Sequence, residues 1–185
     1  LSVQYAPDNP NGYPDKAETD GLIGKATISW NPQEDVMYYL TWSEGFRPGL
    51  LNRPVGSSNA DGSYTVKPEV DTDEITNFEF GWKTITKDGQ LRFNGSAFYV
   101  DVTGLQSTIF DPSIVNLFFS DNAADATIKG VEGDFTYYTN VEGLSVAGAF
   151  SFLDTEITEK LVPTGDVIVG EELAFAPGMQ GNIRV

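Results

Sequence analysis

The hydrophobic and polar positions of this chain alternate with a period of two over long stretches, and the alternation is cleanest between Ile75 and Asp101. Phe78, Phe80 and Trp82 fall on one side of that stretch and Asn77, Glu79 and Lys83 on the other, because successive side chains of an extended strand point to opposite faces. The run breaks at Lys87-Asp88-Gly89-Gln90 and then resumes. An Asp-Gly pair between two alternating runs predicts a tight hairpin, since such turns need a backbone that glycine adopts freely. Ile75 to Thr86 can stay extended for about twice the five or six residues usual in soluble sheets, and roughly ten residues is what a tilted strand needs to cross a bilayer.

The same grammar organises the rest. Leu1 to Tyr5 reads as the tail of a strand, Pro7 to Asp20 as a loop, Gly21 to Trp30 as a strand, and Asn31 to Asp35 as a short turn. Val36 to Ser43 is dense in β-branched and aromatic residues and predicts another strand. Further strands are expected over Thr127 to Thr139, Leu144 to Asp154 and Pro177 to Val185. Three long connections separate them, Glu44 to Thr72, Gly104 to Asp125 and Thr155 to Ala176, the second holding a short apolar strand at Ile114 to Phe119. Long and short connections alternate, so all short turns lie at one end of the strands. An up-and-down membrane barrel predicts that asymmetry, whereas a Greek-key sandwich puts long loops at both ends. On the second faces, Ser145, Ala147, Ala149 and Ser151 suit the wall of a wet interior. Trp30, Tyr38, Tyr39, Trp42, Tyr137 and Tyr138 near strand ends suit interfacial aromatic girdles. The expectation is an all-β fold, an antiparallel up-and-down transmembrane β-barrel present as a partial barrel of about eight strands, with residues 1–185 forming part of one barrel domain.

Composition narrows the chemistry. A formal charge of −16 disfavours nucleic acid, whose affinity rests on lysine and arginine neutralising phosphates. The chain holds no cysteine and no histidine, which removes disulfides, thiolate metal sites and imidazole catalysis, so no cofactor and no metal site is expected. Aromatics at 12%, 19 glycines and a mean hydropathy of −0.22 fit a barrel and a soluble sandwich equally.

Several stretches together resemble the carboxy-terminal part of the barrel in TonB-dependent outer-membrane receptors. Tyr38 to Gly49 is similar to a family strand ending in Ser-Glu-Gly-Phe-Arg-Pro-Gly, and Glu74 followed by Asn77 to Lys83 is similar to the strand after it. Asn94 to Asp101, Asn122-Ala123-Ala124, Gly130 to Gly133 and Ala176-Pro177-Gly178 match in order and spacing. Phe80 and Trp82 stand where smaller aliphatics are usual, and Gly133 interrupts its strand. The resemblance implies an outer-membrane receptor of a Gram-negative bacterium that imports a scarce nutrient such as a ferric siderophore, energised through TonB. It also implies that the plug domain, through which TonB acts, and the final strands lie outside these residues. Its partners would be a small nutrient ligand, possibly a metal chelate, and outer-membrane lipid, and it would perform no catalysis. Alternatives are a soluble β-sandwich adhesin or carbohydrate module, and an ungated porin.

Candidate ligand-binding residues are Arg47, Arg53 and Tyr64 in external loops, the arginines because their guanidinium suits carboxylate or phosphate and the tyrosine because its ring can stack. Pairing of the arginines with acids such as Glu44 is the plainer expectation. Asp71, Asp73 and Glu74 carry oxygen ligands suited to Ca²⁺ but lack the spacing of a calcium loop. Glu79 and Glu132 are expected in a polar lumen wall beside Lys83 and Lys129 rather than as an acid–base pair.

Overall fold

A computed structural model describes residues 2–4, 16–52, 65–86, 88–114 and 118–185. It contains eleven strands among those residues: β1 (Ser2–Gln4), β2 (Lys16–Glu18), β3 (Lys25–Gln33), β4 (Val36–Arg47), β5 (Leu50–Leu51), β6 (Glu69–Val70), β7 (Asp73–Ile85), β8 (Leu91–Ile109), β9 (Phe119–Tyr138), β10 (Ser145–Lys160) and β11 (Met179–Arg184). Seven form one antiparallel meander in the order β11-β10-β9-β8-β7-β4-β3. The expected eighth strand at the amino terminus is instead the short β1, which pairs with β2 in a separate two-stranded sheet. β5 and β6 pair likewise.

The connections are one-sided. Residues 34–35, 86–90 and 139–144 turn tightly at one end of the sheet; 48–72, 110–118 and 161–178 form the longer connections at the other. In the turn after β7, Gly89 takes φ +70°, Asp88 Oδ1 accepts the N–H of Gln90 at 3.1 Å and the hydroxyl of Thr86, and Thr86 N donates to Leu91 O at 2.8 Å. Those donated hydrogen bonds hold the Asp88 carboxyl below its ordinary pKa.

Register fixes the two faces. Trp42, Phe78 and Tyr99 form one cross-strand row, Leu40, Phe80, Ala97, Val131 and Phe152 the next, and Tyr38, Trp82, Gly95, Gly133 and Phe150 a third. Among the described residues no second sheet covers this apolar face, and Leu40, Phe78 and Phe80 are 57%, 52% and 43% exposed. The opposite face carries Thr41, Glu79, Lys83, Asn94, Ser96, Glu132 and Asp134. A two-layer sandwich would bury those aromatics. A membrane wall leaves them to lipid.

Glycines let the aromatic rings meet. A Cβ on Gly95 would lie 2.4 Å from the Trp82 ring, and one on Gly133 would lie 2.9 Å from the ring of Phe150. With those positions bare, rings run in sequence across the sheet: Trp30–Tyr38 at 5.9 Å between centroids, Tyr38–Phe80 at 6.1 Å, Phe80–Trp82 at 6.2 Å, Trp82–Phe93 at 5.7 Å, Phe93–Phe150 at 6.5 Å. Gly133 therefore does not interrupt β9, which runs through it; it makes room for Phe150.

The strands are longer than the alternation suggested. β8 and β9 run to Ile109 and from Phe119; of the anticipated strand at Ile114 to Phe119, residues 115–117 lie outside the described residues and Phe119 belongs to β9. Ile114 packs under the loops and Phe119 opens β9. The dry core sits here, above the lipid-facing band, where Val66, Ile109, Ile114, Phe119, Val162 and Val167 cluster. A single-layer wall has no inner core, so this stack of connections on β8 and β9 is where side chains escape solvent.

Candidate functional site

The inward polar face and the long-loop end are the two places where function can reside. On the polar face, cross-strand pairing sets Tyr39 beside Gly81, where the missing Cβ admits the tyrosine ring, and its hydroxyl donates to Glu79 at 2.5 Å. Asn94 donates to Asp134 at 3.2 Å, with Arg92 at 3.7 Å from the same carboxylate, and Ser96 lies 3.5 Å from Glu132. Tyr39, Asn94, Ser96, Glu132 and Asp134, with Lys83, line a 540 Å³ concavity reaching across to β10 and β11. Its mixture of acids, amides and Lys83 offers hydrogen-bonding partners to whatever fills the interior. Glu79 is engaged by a phenol and Glu132 by a serine hydroxyl, an arrangement that builds a polar wall.

Two sequence expectations are corrected here. Lys129 does not share a face with Glu132: three residues apart in a continuous strand, they point oppositely, and the register places Lys129 beside Tyr99 and Asp154 on the lipid-facing side. Tyr39 likewise leaves the proposed girdle, because its ring turns inward.

At the long-loop end, polar side chains tie the connections to the extended strands. Asp73, 3% exposed, accepts from Arg47 Nε at 2.9 Å, from Arg47 Nη2, and from the backbone N–H groups of Arg47 at 3.1 Å and Gln106 at 3.2 Å. Arg47 Nη2 also donates to Gln106 O at 2.8 Å. Gln106 Nε2 in turn donates to Asp71 O at 2.9 Å and Pro48 O at 3.0 Å. Asn122 exchanges hydrogen bonds with the Asp71 backbone at 2.8 and 2.9 Å, and Asn52 does the same with Ser120 at 2.8 and 2.6 Å. Residue separations of 51 and 68 positions explain why no local pattern announced these clasps. Asp111 accepts from Ser113 N at 2.9 Å, Ser113 Oγ at 2.6 Å and Thr164 Oγ1 at 2.9 Å, and these bonds, the serine's first, hold its carboxyl below the usual range.

Of the three sequence-proposed ligand contacts, Arg47 is half-exposed and paired with Asp73, while Glu44 instead accepts the N–H of Gly24 at 2.9 Å. Arg53 and Tyr64 lie outside the described residues. Asp73 is buried and engaged by Arg47, which removes it from the Asp71–Asp73–Glu74 group as a cation ligand. Among the described residues no cluster of acids is arranged to hold a metal ion.

Comparison with known proteins agrees with this geometry. The sequence model for "TonB dependent receptor-like, beta-barrel" matches residues 2–185. No curated protein sequence matches the chain. Among solved structures, the chain is similar to the ferric yersiniabactin uptake receptor FyuA of Yersinia pestis, with a TM-score of 0.66 at 16% identity over 91% of this chain and 23% of that one. It is similar also to the ferripyoverdine receptor of Pseudomonas aeruginosa, with a TM-score of 0.57 at 15% identity over 91% and 20%, and to the ferric-catecholate import receptor Fiu of E. coli K12, 0.56 at 16% over 86% and 21%. The chain thus spans under a quarter of each of these receptors. The family model over nearly the whole length, the one-sided loops and the lipid-facing aromatic belt lead to one conclusion: this chain belongs to the TonB-dependent receptor family, as a section of its outer-membrane β-barrel.

Proposed function

We propose that this chain supplies part of the wall and outer rim of a receptor that imports a scarce nutrient, such as a ferric siderophore, energised through TonB. The observation that supports this reading best is the contrast between the two faces of one sheet, apolar toward lipid and hydrogen-bonding toward the interior, capped by loops clasped to overlong strands. Such a wall fits a barrel whose interior is filled by protein rather than left as a simple pore. In this reading residues 1–185 belong to a single barrel domain. Arg47, Arg53 and Tyr64 face the nutrient in the external loops, and TonB engages the part of the receptor that lies outside this chain. The ligand passes through chemically unchanged.

The test is uptake by the full-length receptor in a host lacking its own siderophore receptors. Iron-limited growth is scored on a panel of radiolabelled ferric siderophores, with and without TonB. Import of at least one chelate that disappears without TonB supports the reading; TonB-independent leakage of small solutes would replace it with a porin.

A further inference from the structure

The regular ladder of the wall breaks along one line. Ala126 pairs with Val102 of β8 on one side and Ile157 of β10 on the other, and Ala124 pairs with Leu105 and Lys160. Between those levels β9 contributes only Asp125, whereas β8 carries Thr103 and Gly104 and β10 carries Thr158 and Glu159, so both neighbours bulge opposite the same position. Gly104 takes φ +65°, a left-handed backbone that suits glycine, and its N–H donates to the Asp125 carboxylate at 2.7 Å. A Cβ on Gly104 would come within 3.7 Å of Thr72 O, which sets the entry to β7 on the same line. Bulges leave residues out of the ladder and sharpen the local twist. Backbone pairing is thus interrupted on both sides of β9 at one level.

The material on either side is firm. Toward the short turns, β8, β9 and β10 pair without a break. Toward the long connections, Val66, Ile114, Val162 and Val167 share one dry cluster with Ile109 and Phe119 at the ends of β8 and β9. A close-packed cluster moves as a unit rather than shearing, so bending concentrates at the crease. One hub crosses it. Arg47 and Asp73 end β4 and begin β7 on the wall side, and Gln106 lies beyond the crease. Gln106 N donates to Asp73 at 3.2 Å, Arg47 Nη2 donates to Gln106 O at 2.8 Å, and Gln106 Nε2 donates to Pro48 O at 3.0 Å. Gln106 Oε1 is buried and accepts no hydrogen bond among the described residues. A buried acceptor without a donor raises the free energy of this position, and water would relieve it on opening.

We propose that residues 105–109, 119–124 and 162–167, with 66–71 packed on them, form one lid that bends against the wall along the line through Thr72, Gly104, Asp125 and Glu159, and that the Arg47–Asp73–Gln106 hub is its latch. The three connections then open and close the mouth together, not as separate loops.

The experiment measures distances between spin labels by double electron–electron resonance in the full-length receptor in lipid nanodiscs, with the labelled positions as its only cysteines. Ser107→Cys with Asp166→Cys places both labels on the lid; Lys25→Cys with Asp166→Cys places them across the crease. The expected result is one narrow distance for the first pair and two populations for the second. Arg47→Gln and Gln106→Ala, each of which weakens the latch, should each enlarge the minor population several-fold while leaving the first pair unchanged. A single distance across the crease that neither variant alters would overturn the lid, and so would a first pair that broadens along with the second. No nutrient enters the measurement, so a rigid crease would leave the import reading standing, and TonB-independent leakage in the uptake test would leave the lid standing.

Discussion

Gly95→Ala gives the most informative perturbation of the wall. Replacing a strand glycine by alanine ordinarily stabilises, by about 0.5–1 kcal/mol, since alanine restricts the unfolded chain. At position 95 the added methyl would sit 2.4 Å from Cζ2 and 2.8 Å from Cε2 of Trp82, and 2.7 Å from the carbonyl oxygen of Glu132. The carbonyl belongs to the β9 backbone and cannot move without disturbing its pairing with β8. Overpacking of this kind costs about 1–3 kcal/mol, which outweighs the entropic gain. The net expectation is a loss of about 0.5–2 kcal/mol. Gly45→Ala is the control, because nothing lies within 4 Å of its added methyl and its strand, β4, belongs to the same sheet. That change should be neutral or stabilising. The assay is urea unfolding of the full-length receptor in detergent, followed by tryptophan fluorescence and by mobility in unboiled gels. Combining Gly95→Ala with Trp82→Leu should recover part of the loss, the remainder being the backbone clash. Equal stability of Gly95→Ala and Gly45→Ala would refute the idea that bare backbone at 95 exists to seat the indole.

Other expectations follow from the same structure. Arg47→Gln removes the charged partner of a buried carboxylate but leaves Asp73 its two backbone donors, so the loss should be about 1–3 kcal/mol, seen as faster hydrogen exchange over residues 65–73 and 104–106. Because the folded pKa of Asp111 lies below its unfolded value of about 3.9, its clasp on Thr164 contributes fully above that value and is lost as pH falls through the lower folded pKa. Hydrogen exchange over 161–167 should therefore accelerate on acidification below about pH 4, and Asp111→Asn should flatten that response. Residues 1–185 expressed alone should aggregate, since β3 and β11 leave unpaired edges at either side of the sheet; a monodisperse, cooperatively melting monomer in size-exclusion chromatography and calorimetry would contradict this.

Much of the wall was legible because its determinants are local. The hairpin of β7 and β8 follows from an Asp-Gly turn and two alternating runs, and the face carrying Phe78, Phe80 and Trp82 follows from a period that allows one answer once the strand is granted. The outer halves of β8 and β9 are not legible in the sequence, for a definite reason. There, between Gly104 and Asp125, bulges shift the register at Leu105 and Gln106, and loops bury both apolar and polar side chains, so the alternation that marks a wall with one wet and one greasy side is lost. Strand parity alone sets Lys129 on the face opposite to Glu132. The partner of Arg47 was not decidable from the chain, because Glu44 is nearer in sequence while Asp73 is nearer in space.

The sequence by itself thus determined which segments extend, which faces meet lipid, at which end the chain turns tightly, and to which family it belongs. Those properties are written in runs of a dozen residues or fewer. Only the tertiary structure decided which rings meet over Gly95 and Gly133, how far β8 and β9 extend toward the long connections, and how Asn52, Gln106 and Asn122 lock the connections onto them. Each of these depends on the register between strands and on hydrogen bonds closing across many tens of residues, and a two-residue period carries no record of either.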